Sequence, residues 1–567
     1  MAGDLRAASV AILMVAALAC APAMRSAVRP PLADVVALER EGDAELARGC
    51  YLCLKSAADK YEAAIAAGAR GLDLKAAGAW VLVAVREREL GLKSSDALGR
   101  ARGHRAAPFE EQVDAYLLIA SALPSLLAGT SVESRAEAAK GYRELMGDPI
   151  RQARAQLGAP SAEPTPHPAL RLIQDRAKQA SDLVSRYLDS SIACAGLDRV
   201  SRVVLPGAAP TPTPSPTPAP AASSADASGL MTFSRANCGT GSTQATGSGV
   251  YRDAGPQNAA HLRRLVETEP RFHEAHYVLG GLALAERRLL SAENEYFAAA
   301  DGIPQMAAAW SMLGAVRFSL EEYDVAVADF QRALNVEPDQ REALLKLAQA
   351  LNYAGRFEDA TTPARRLIEM GAWYQSDANY WLAFSELQLG RLQDADSHAR
   401  EAKRTNPMNG DTARLTGLVA YKLDEVDRAR AEFELAVSRN PADCESYLHL
   451  GMIDGRQSHF ESSIANFLRA RNCYGALVDG AAARKTEIES SALSDPRKAA
   501  ALSRLGQRVA ASERSRAAAS YGAAEGETQR GALDAALAHA ADAALHADFA
   551  ARAEEIKRRI AALRARP

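Results

Sequence analysis

The stretch WSMLGAVRFSLEEYDVAVADFQRALNVEP, Trp310–Pro338, decides the fold. Gly314 is followed twelve residues later by Ala326, then by Phe330 one turn on, and Pro338 closes the segment. The pattern does not stand alone. A small residue recurs at Gly280, Gly314, Ala348, Ala383, Gly417 and Gly451, at intervals of 34, 34, 35, 34 and 34 residues. Twelve positions after each comes a second one: Ala292, Ala326, Ala360, Ala395, Ala429 and Ser463. Pro304, Pro338, Pro407 and Pro441 end four of the units.

Such a period describes two short amphipathic helices per unit, neither able to bury its apolar face alone. Stacked neighbours make one continuous core, so the units are stable as a row. The first small residue lets the paired helices approach closely, and Phe330, Phe433 and Phe467 fill the space behind the second. Proline lacks an N–H and stops the second helix at a fixed place. The 35-residue interval places its extra residue near Gly371 and Ala372, between helices, in the copy that also lacks a terminal proline. Trp310, Leu313, Gly314, Ala326, Phe330, Ala333 and Pro338 together resemble the tetratricopeptide repeat, a helix–turn–helix unit of 34 residues. Gly417, Ala429, Phe433, Ala436 and Pro441 repeat the resemblance.

Composition agrees. Alanine is abundant, aromatics are 6% and period-two runs of Val and Ile are nearly absent, so the class is all-α. A net charge of −3 over 567 residues offers no broad basic field for nucleic acid. At that length several regions are expected.

The chain reads as a leader over 1–23, a helical region of degenerate repeats over 32–200, a linker over 201–256, an array of about six repeats over 257–475, and a helical region over 476–567. Ala7–Ala21 is apolar but shorter than the ~20 residues that span a bilayer, and suits a secretory signal. Ala17-Leu18-Ala19-Cys20 resembles the bacterial lipobox, which implies a lipid anchor on Cys20. Cleavage after Ala19 or Ala23, or an uncleaved anchor, are the alternatives, and all of them export the rest to the cell envelope. Helices are expected over 32–47, from Gly49 through Tyr61, over 76–90 and 95–102, and then over 109–127, 132–146 and 168–193. The run PGAAPTPTPSPTPAPAASSADASG from Pro206 cannot form a core and favours an extended spacer. Beyond Cys473, helices are expected over 496–513, 515–530 and 532–545, the last two as a seventh unit with Ala524 and Ala536 twelve apart. The segment 547–564 is expected to cap the array.

Once Cys20 is set aside as lipidated, six cysteines remain, an even number that fits an oxidising compartment. Cys444 opens one repeat helix and Cys473 closes its antiparallel partner, so those two are candidates for a disulfide. Cys194 with Cys238, and Cys50 with Cys53, are further candidates. The Cys50-Tyr51-Leu52-Cys53 motif at a helix start is also compatible with thiol redox chemistry. It has no strand-rich surroundings, no following His for haem, and no second CxxC for zinc. No HExxH, GxSxG or phosphate-binding loop is present, so no catalytic residue, metal or cofactor is expected.

The resemblance implies that the first helix of each unit lines a concave groove, and register assigns its inward positions. The candidates for contact with a partner are Tyr277, Phe318, Gln349, Asn352, Tyr380, Phe384, Arg414 and Tyr421. Relatives that clamp a C-terminal carboxylate use Lys and Asn where this chain has Ser311, Ala315 and Leu345, so that mode is disfavoured. Completing the packing between repeats is the competing role for the same side chains. The reading is a scaffold that binds a protein or peptide at the envelope, with thiol redox at Cys50–Cys53 and recognition of envelope glycan by groove aromatics as alternatives.

Overall fold

A computed structural model of the chain describes residues 32–90, 92–105, 113, 117, 256–371 and 374–565. Cys20 and the leader, the helices expected over 109–193, Cys194, Cys238 and the proline-rich run lie outside those residues, apart from Val113 and Leu117. Every regular element among the described residues is a helix. The chain divides between Phe272 and His273 into two compact units.

In the first unit α1 (Leu32–Arg48), α2 (Tyr51–Ala66), α3 (Asp73–Glu89) and α4 (Ala97–Gly103) pack in sequence, and α5 (Pro256–Thr268) is the last helix of the unit. The helices expected from Leu32, Gly49, Ala76 and Ser95 are all there. Gly42 lets Tyr61 lie flat on α1, where a methyl would meet the ring at 2.7 Å. The Tyr61 hydroxyl donates to Asp43 at 2.7 Å. The Arg100 guanidinium stacks 3.7 Å over the Trp80 ring, whose indole N–H donates to Glu62 at 2.8 Å. Arg271 and Arg48 tie the α5 end to α1 through Glu45 at 2.8 Å and Glu269 at 3.2 Å.

The second unit is the array. Its paired helices are α6 (His273–Ala285) with α7 (Leu289–Gly302), α8 (Ala307–Ser319) with α9 (Tyr323–Val336), and α10 (Arg341–Tyr353) with α11 (Phe357–Glu369). Then come α12 (Gln375–Gln388) with α13 (Leu392–Thr405), α14 (Gly410–Lys422) with α15 (Val426–Arg439), and α16 (Cys444–Arg456) with α17 (Phe460–Ser490). Each expected terminal proline lies two residues past a helix end. A methyl on Gly280, Gly314, Gly417 or Gly451 would lie 2.7–2.9 Å from the ring of Tyr296, Phe330, Phe433 or Phe467 respectively. Contacts that short do not occur, so glycine is what allows the ring. In the third and fourth pairs the first small residue is Ala, and the residue sixteen positions on is Ala364 or Ala399, both fully buried. One partner is large only where the other has no side chain.

Beyond the sixth pair the structure departs from expectation. α17 does not end at Cys473 but runs to Ser490, so the boundary drawn at 475/476 falls inside a helix. The helices expected over 496–513 and 515–530 are one 36-residue helix, α18 (Asp495–Arg530). Nothing between them breaks it: the intervening sequence is Glu513-Arg514-Ser515-Arg516, with no Gly or Pro. The second half of α18 pairs with α19 (Leu533–Ala543) as the expected seventh unit, and Ala524, Ala536 and Ala540 are buried together. Gly522 brings α18 onto Phe467 from the side opposite Gly451, with a methyl-to-ring distance of 2.5 Å. α20 (Ala547–Arg564) closes the row through Phe549, Ala553, Ile556 and Ile560. The remaining parts of α17 and α18 form an inserted helical hairpin with its own small core of Ile488, Ala501 and Leu505.

The turn within each pair carries a signal that the sequence reading missed. Seven residues after each first small residue the backbone is left-handed: Arg287, Glu321, Gly355, Gly390, Asp424 and Ser458 have φ between 59° and 75°. Glycine adopts that conformation freely, while an L-residue gives up roughly 1–2 kcal/mol. Ser458→Gly is therefore expected to raise stability by about 0.5–1 kcal/mol, after the larger chain entropy of glycine is subtracted. Gly355→Ala should lower it by a similar amount. Urea unfolding of both variants checks this, and a Ser458→Gly chain no more stable than the parent contradicts it.

Candidate binding groove

The first helices of a helical-repeat row present an extended face, and the structure sorts the eight side chains assigned to it. Phe318 is half-buried and meets Tyr323 and Tyr353 edge-on at 5.3 Å each. Tyr380 and Phe384 pack over Ala383, Ala395 and Leu415 between the fourth and fifth repeats. Tyr277 stands edge-on to Tyr296 at 5.5 Å. Tyr421 meets His449 at 5.2 Å, with the Arg456 guanidinium 6.0 Å above its ring. Gln349 stays half-exposed and accepts a hydrogen bond from Lys346 Nζ at 3.2 Å.

Two of the polar candidates are engaged inside the chain. Asn352 is only 4% exposed. Its Nδ2 donates to the Ala348 carbonyl at 3.0 Å and the Trp381 carbonyl at 3.4 Å, and its Oδ1 accepts from Ser385 Oγ at 2.9 Å. It joins the third repeat to the fourth rather than facing an open groove. Arg414 pairs with Glu445 at 2.8 Å and lies 3.9 Å from Asp443. Burial opposes its charge, but Tyr380, Glu445 and Asp443 outweigh that and hold it more firmly protonated than an ordinary arginine. Burial also pushes the Tyr380 hydroxyl up to about 12.

The arrangement brings together residues that register alone did not select. Tyr323 stacks on Tyr353 at 5.2 Å, Tyr353 meets Trp381 at 5.7 Å, and Trp381 contacts Tyr380 at 5.0 Å and Phe384 at 5.9 Å. With Phe318 this makes a continuous aromatic row across the second, third and fourth repeats. Tyr353, at the middle of the row, is 53% exposed. Tyr353 and Trp381 each sit one position after a groove candidate, so a mapping that kept only every third or fourth residue passed them over. Aromatic contacts of this kind add about 0.5–1.5 kcal/mol beyond the area they bury. The row is largely apolar and open to solvent at its middle, which suits side chains and backbone of an extended segment.

Behind this face, charges sit at repeating positions between helices. Arg317 reaches Glu293 at 2.9 Å and Asp329 at 2.8 Å. At the equivalent places Arg430 lies 2.6 Å from Asp454, to which Asn466 donates at 2.9 Å. In the fourth repeat the same places hold Glu386 and His398, 2.7 Å apart, with Arg365 at 3.5 Å from the carboxylate. Buried carboxylates need such partners, because an unpaired one is costly.

The two disulfide pairings within the described residues form. Cys444 and Cys473 are joined with Cα atoms 5.4 Å apart, and Cys50 and Cys53 with Cα atoms 4.9 Å apart. Both Cys50 and Cys53 are fully buried, and the Cys53 N–H donates to Cys50 Sγ at 3.0 Å as a helix cap. A redox pair needs an accessible sulfur, so this geometry favours the structural role. Among the described residues no cluster of His, Cys, Asp and Glu is arranged to hold a metal ion, and no helix is long and apolar enough to cross a membrane.

Comparison with known proteins agrees with the helix pairs. Residues 307–340 match the tetratricopeptide repeat family model. Tetratricopeptide repeat protein 8 of Caenorhabditis elegans is 22% identical over 218 residues, covering 38% of this chain and 42% of that protein. The human protein O-mannosyl-transferase TMTC1 is 26% identical over 192 residues, covering 32% of this chain and 21% of that protein. The chain thus spans less than half the length of these curated relatives. Among solved structures, YrrB, described as a repeat protein with an unusual peptide-binding site, aligns at 18% identity over 33% of this chain and 96% of its own, with a TM-score of 0.30. Pseudomonas aeruginosa pilF aligns at 19% identity over 36% of this chain and 92% of its own, with a TM-score of 0.33. Residues 307–340 thus form a tetratricopeptide repeat, the flanking helix pairs keep its spacing, and the fold of the described residues is an all-α row of such repeats. Proteins of this class generally act through protein–protein interaction.

The Glu386–His398 contact makes a pH prediction. The hydrogen bond to Glu386 raises the His398 pKa, and burial and Arg365 oppose it only in part. A raised histidine contributes stability that is full below the unfolded value of about 6.5 and is lost as pH rises through the higher folded value. Unfolding midpoints measured from pH 5.5 to 8.5 should therefore fall more steeply on the alkaline side in the parent than in His398→Gln. Parallel profiles contradict the assignment.

Proposed function

We propose that the chain is a non-enzymatic scaffold that binds an extended segment of another protein along its first-helix face, through the aromatic row from Phe318 to Phe384. The single observation that carries this reading is that row, with Tyr353 open to solvent at its middle. Buried aromatics are the usual anchors of protein interfaces, and half-exposed neighbours such as Gln349 supply hydrogen bonds to a peptide backbone. We place the scaffold at the cell envelope, exported by the apolar leader and held there through lipid on Cys20. Two disulfides in the described residues support that placement, since such bonds persist in oxidising compartments. The absence of the Lys and Asn clamp directs the proposal to an internal segment of the partner rather than its C-terminal carboxylate. No cofactor or nucleic acid enters the proposal.

A photo-crosslinking residue placed at Gln349, in the full chain and in cells, tests this. The expected result is a discrete protein adduct that Tyr353→Ala weakens at least several-fold, with helix content unchanged because Tyr353 is largely exposed. An adduct pattern that Tyr353→Ala leaves untouched would remove the aromatic row from the interface. For the anchor, Cys20→Ser should move the protein from the membrane fraction to the soluble one.

A further inference from the structure

The inserted hairpin reaches back across the array. From Cys473, where the disulfide to Cys444 fixes its base, α17 continues seventeen residues to Ser490, roughly 25 Å at helical rise. α18 then returns, and its first turn meets the opposite end of the row. Arg497 pairs with Glu322 at 2.6 Å and with Glu293 at 2.9 Å. Arg508 pairs with Glu321 at 2.9 Å. The first of these contacts joins residues 175 apart in the chain.

The chemistry of the contact is uneven. Arg497, Arg504 and Arg508 lie seven and four residues apart, so they share one line along α18. The hairpin's apolar side chains, Ala501, Leu502, Leu505 and Val509, belong to its own core with Ile488 and Ala481. Opposite the arginines the array offers Glu321 and Glu322 in the turn between α8 and α9, and Glu293, buried inside α7 where it also pairs with Arg317. Between the two surfaces is an open cleft of about 690 Å³, lined by those acids, Tyr323, Tyr353, Arg504 and Gln507 among others. The cleft therefore abuts the exposed Tyr353 of the aromatic row. Arg504 Nε is buried there without a hydrogen-bond partner among the described residues.

We propose that the acidic turn of the second repeat, with Glu293 of the first beside it, is a docking surface for an arginine-bearing helix, and that the chain's own hairpin occupies it as a releasable latch. The base is covalent, the body is self-supporting, and the tip is held by ion pairs whose arginines are partly exposed though Glu293 is buried, the Arg508–Glu321 pair being the most open. Pairs of that kind are individually weak and are screened by salt. Closed, the latch bridges the second repeat to the sixth and fixes the curvature of everything between them. Open, it frees the array to flex and uncovers the cleft beside Tyr353. This inference is independent of what the aromatic row binds.

The test is a distance measured by pulsed dipolar spectroscopy in the full chain. Spin labels are carried on unnatural amino acids that replace Ala492, in the hairpin tip, and Ala328, on an exposed face of α9, which leaves the native cysteines alone. At low ionic strength one short, narrow distance is expected. Arg497→Glu with Arg508→Glu, or 1 M salt, where the screening length is only about 3 Å, should shift it to a longer and broader distribution. Adding Glu321→Arg and Glu322→Arg to the first pair of substitutions, with Glu293→Gln so that no carboxylate opposes position 497, should restore the short distance, while helix content by circular dichroism stays constant throughout. A distance that neither charge reversal nor salt lengthens, or one that the restoring substitutions fail to bring back, would overturn the latch.

Discussion

A ring edge resting on a residue with no side chain holds four of the six helix pairs of this array closed, and most of the remaining structure depends on it. Tyr296, Phe330, Phe433 and Phe467 lie where glycine leaves room, and the two alanine pairs, Ala348 with Ala364 and Ala383 with Ala399, fill the same space from both sides. Closing the pair sets the separation of its helices, and that separation sets how the next pair stacks. The alignment of first-helix side chains into an aromatic row follows from the stacking. A buried Phe is worth about 1.5–3 kcal/mol by area alone, so losing the fit at one pair weakens two interfaces as well as one core.

Phe467 shows how the rule extends. Gly451 and Gly522 admit it from both sides, one from its own pair and one from the next unit. Ala524 comes 73 residues after Gly451 instead of about 34, because the hairpin is inserted between them. The insertion leaves the packing rule intact: the second half of α18 behaves as a first helix, and the row ends with α19 and α20 as a row without insertion would. The insertion adds a long lever on an otherwise regular solenoid. Its arginines meet acidic side chains through charge rather than through shape, unlike every helix-to-helix contact in the row.

The fold was legible because it is periodic. Small residues at fixed spacing, and prolines two residues past helix ends, specify the repeat without reference to distant contacts, and the Cys444–Cys473 pairing followed from placing both residues in that register. What was misread lay where local pattern carries no information. Nothing in the sequence at Glu513 to Arg516 says whether two helices or one run there, because a helix continues wherever nothing stops it. Asn352 faced the groove by register, yet a polar side chain one turn from a neighbouring backbone finds partners inside, and three hydrogen bonds hold it there. Tyr353 and Trp381 escaped because register selects positions, while the row is defined by ring-to-ring contact across repeats. The left-handed turns were half visible, through Gly355 and Gly390, and hidden at Arg287, Glu321, Asp424 and Ser458, where tertiary packing imposes the conformation on side chains that do not prefer it.

The central claim, that glycine is present to admit the ring, is tested most directly by a double-mutant cycle at Gly314 and Phe330, read by chemical denaturation. In the parent, Gly314→Ala should destabilise by about 1–3 kcal/mol, because its methyl collides with Phe330. In a Phe330→Ala background the same substitution should change sign and stabilise by about 0.5–1 kcal/mol, as alanine ordinarily does in a helix. An equal cost in both backgrounds would contradict the claim and make Gly314 a matter of backbone conformation alone.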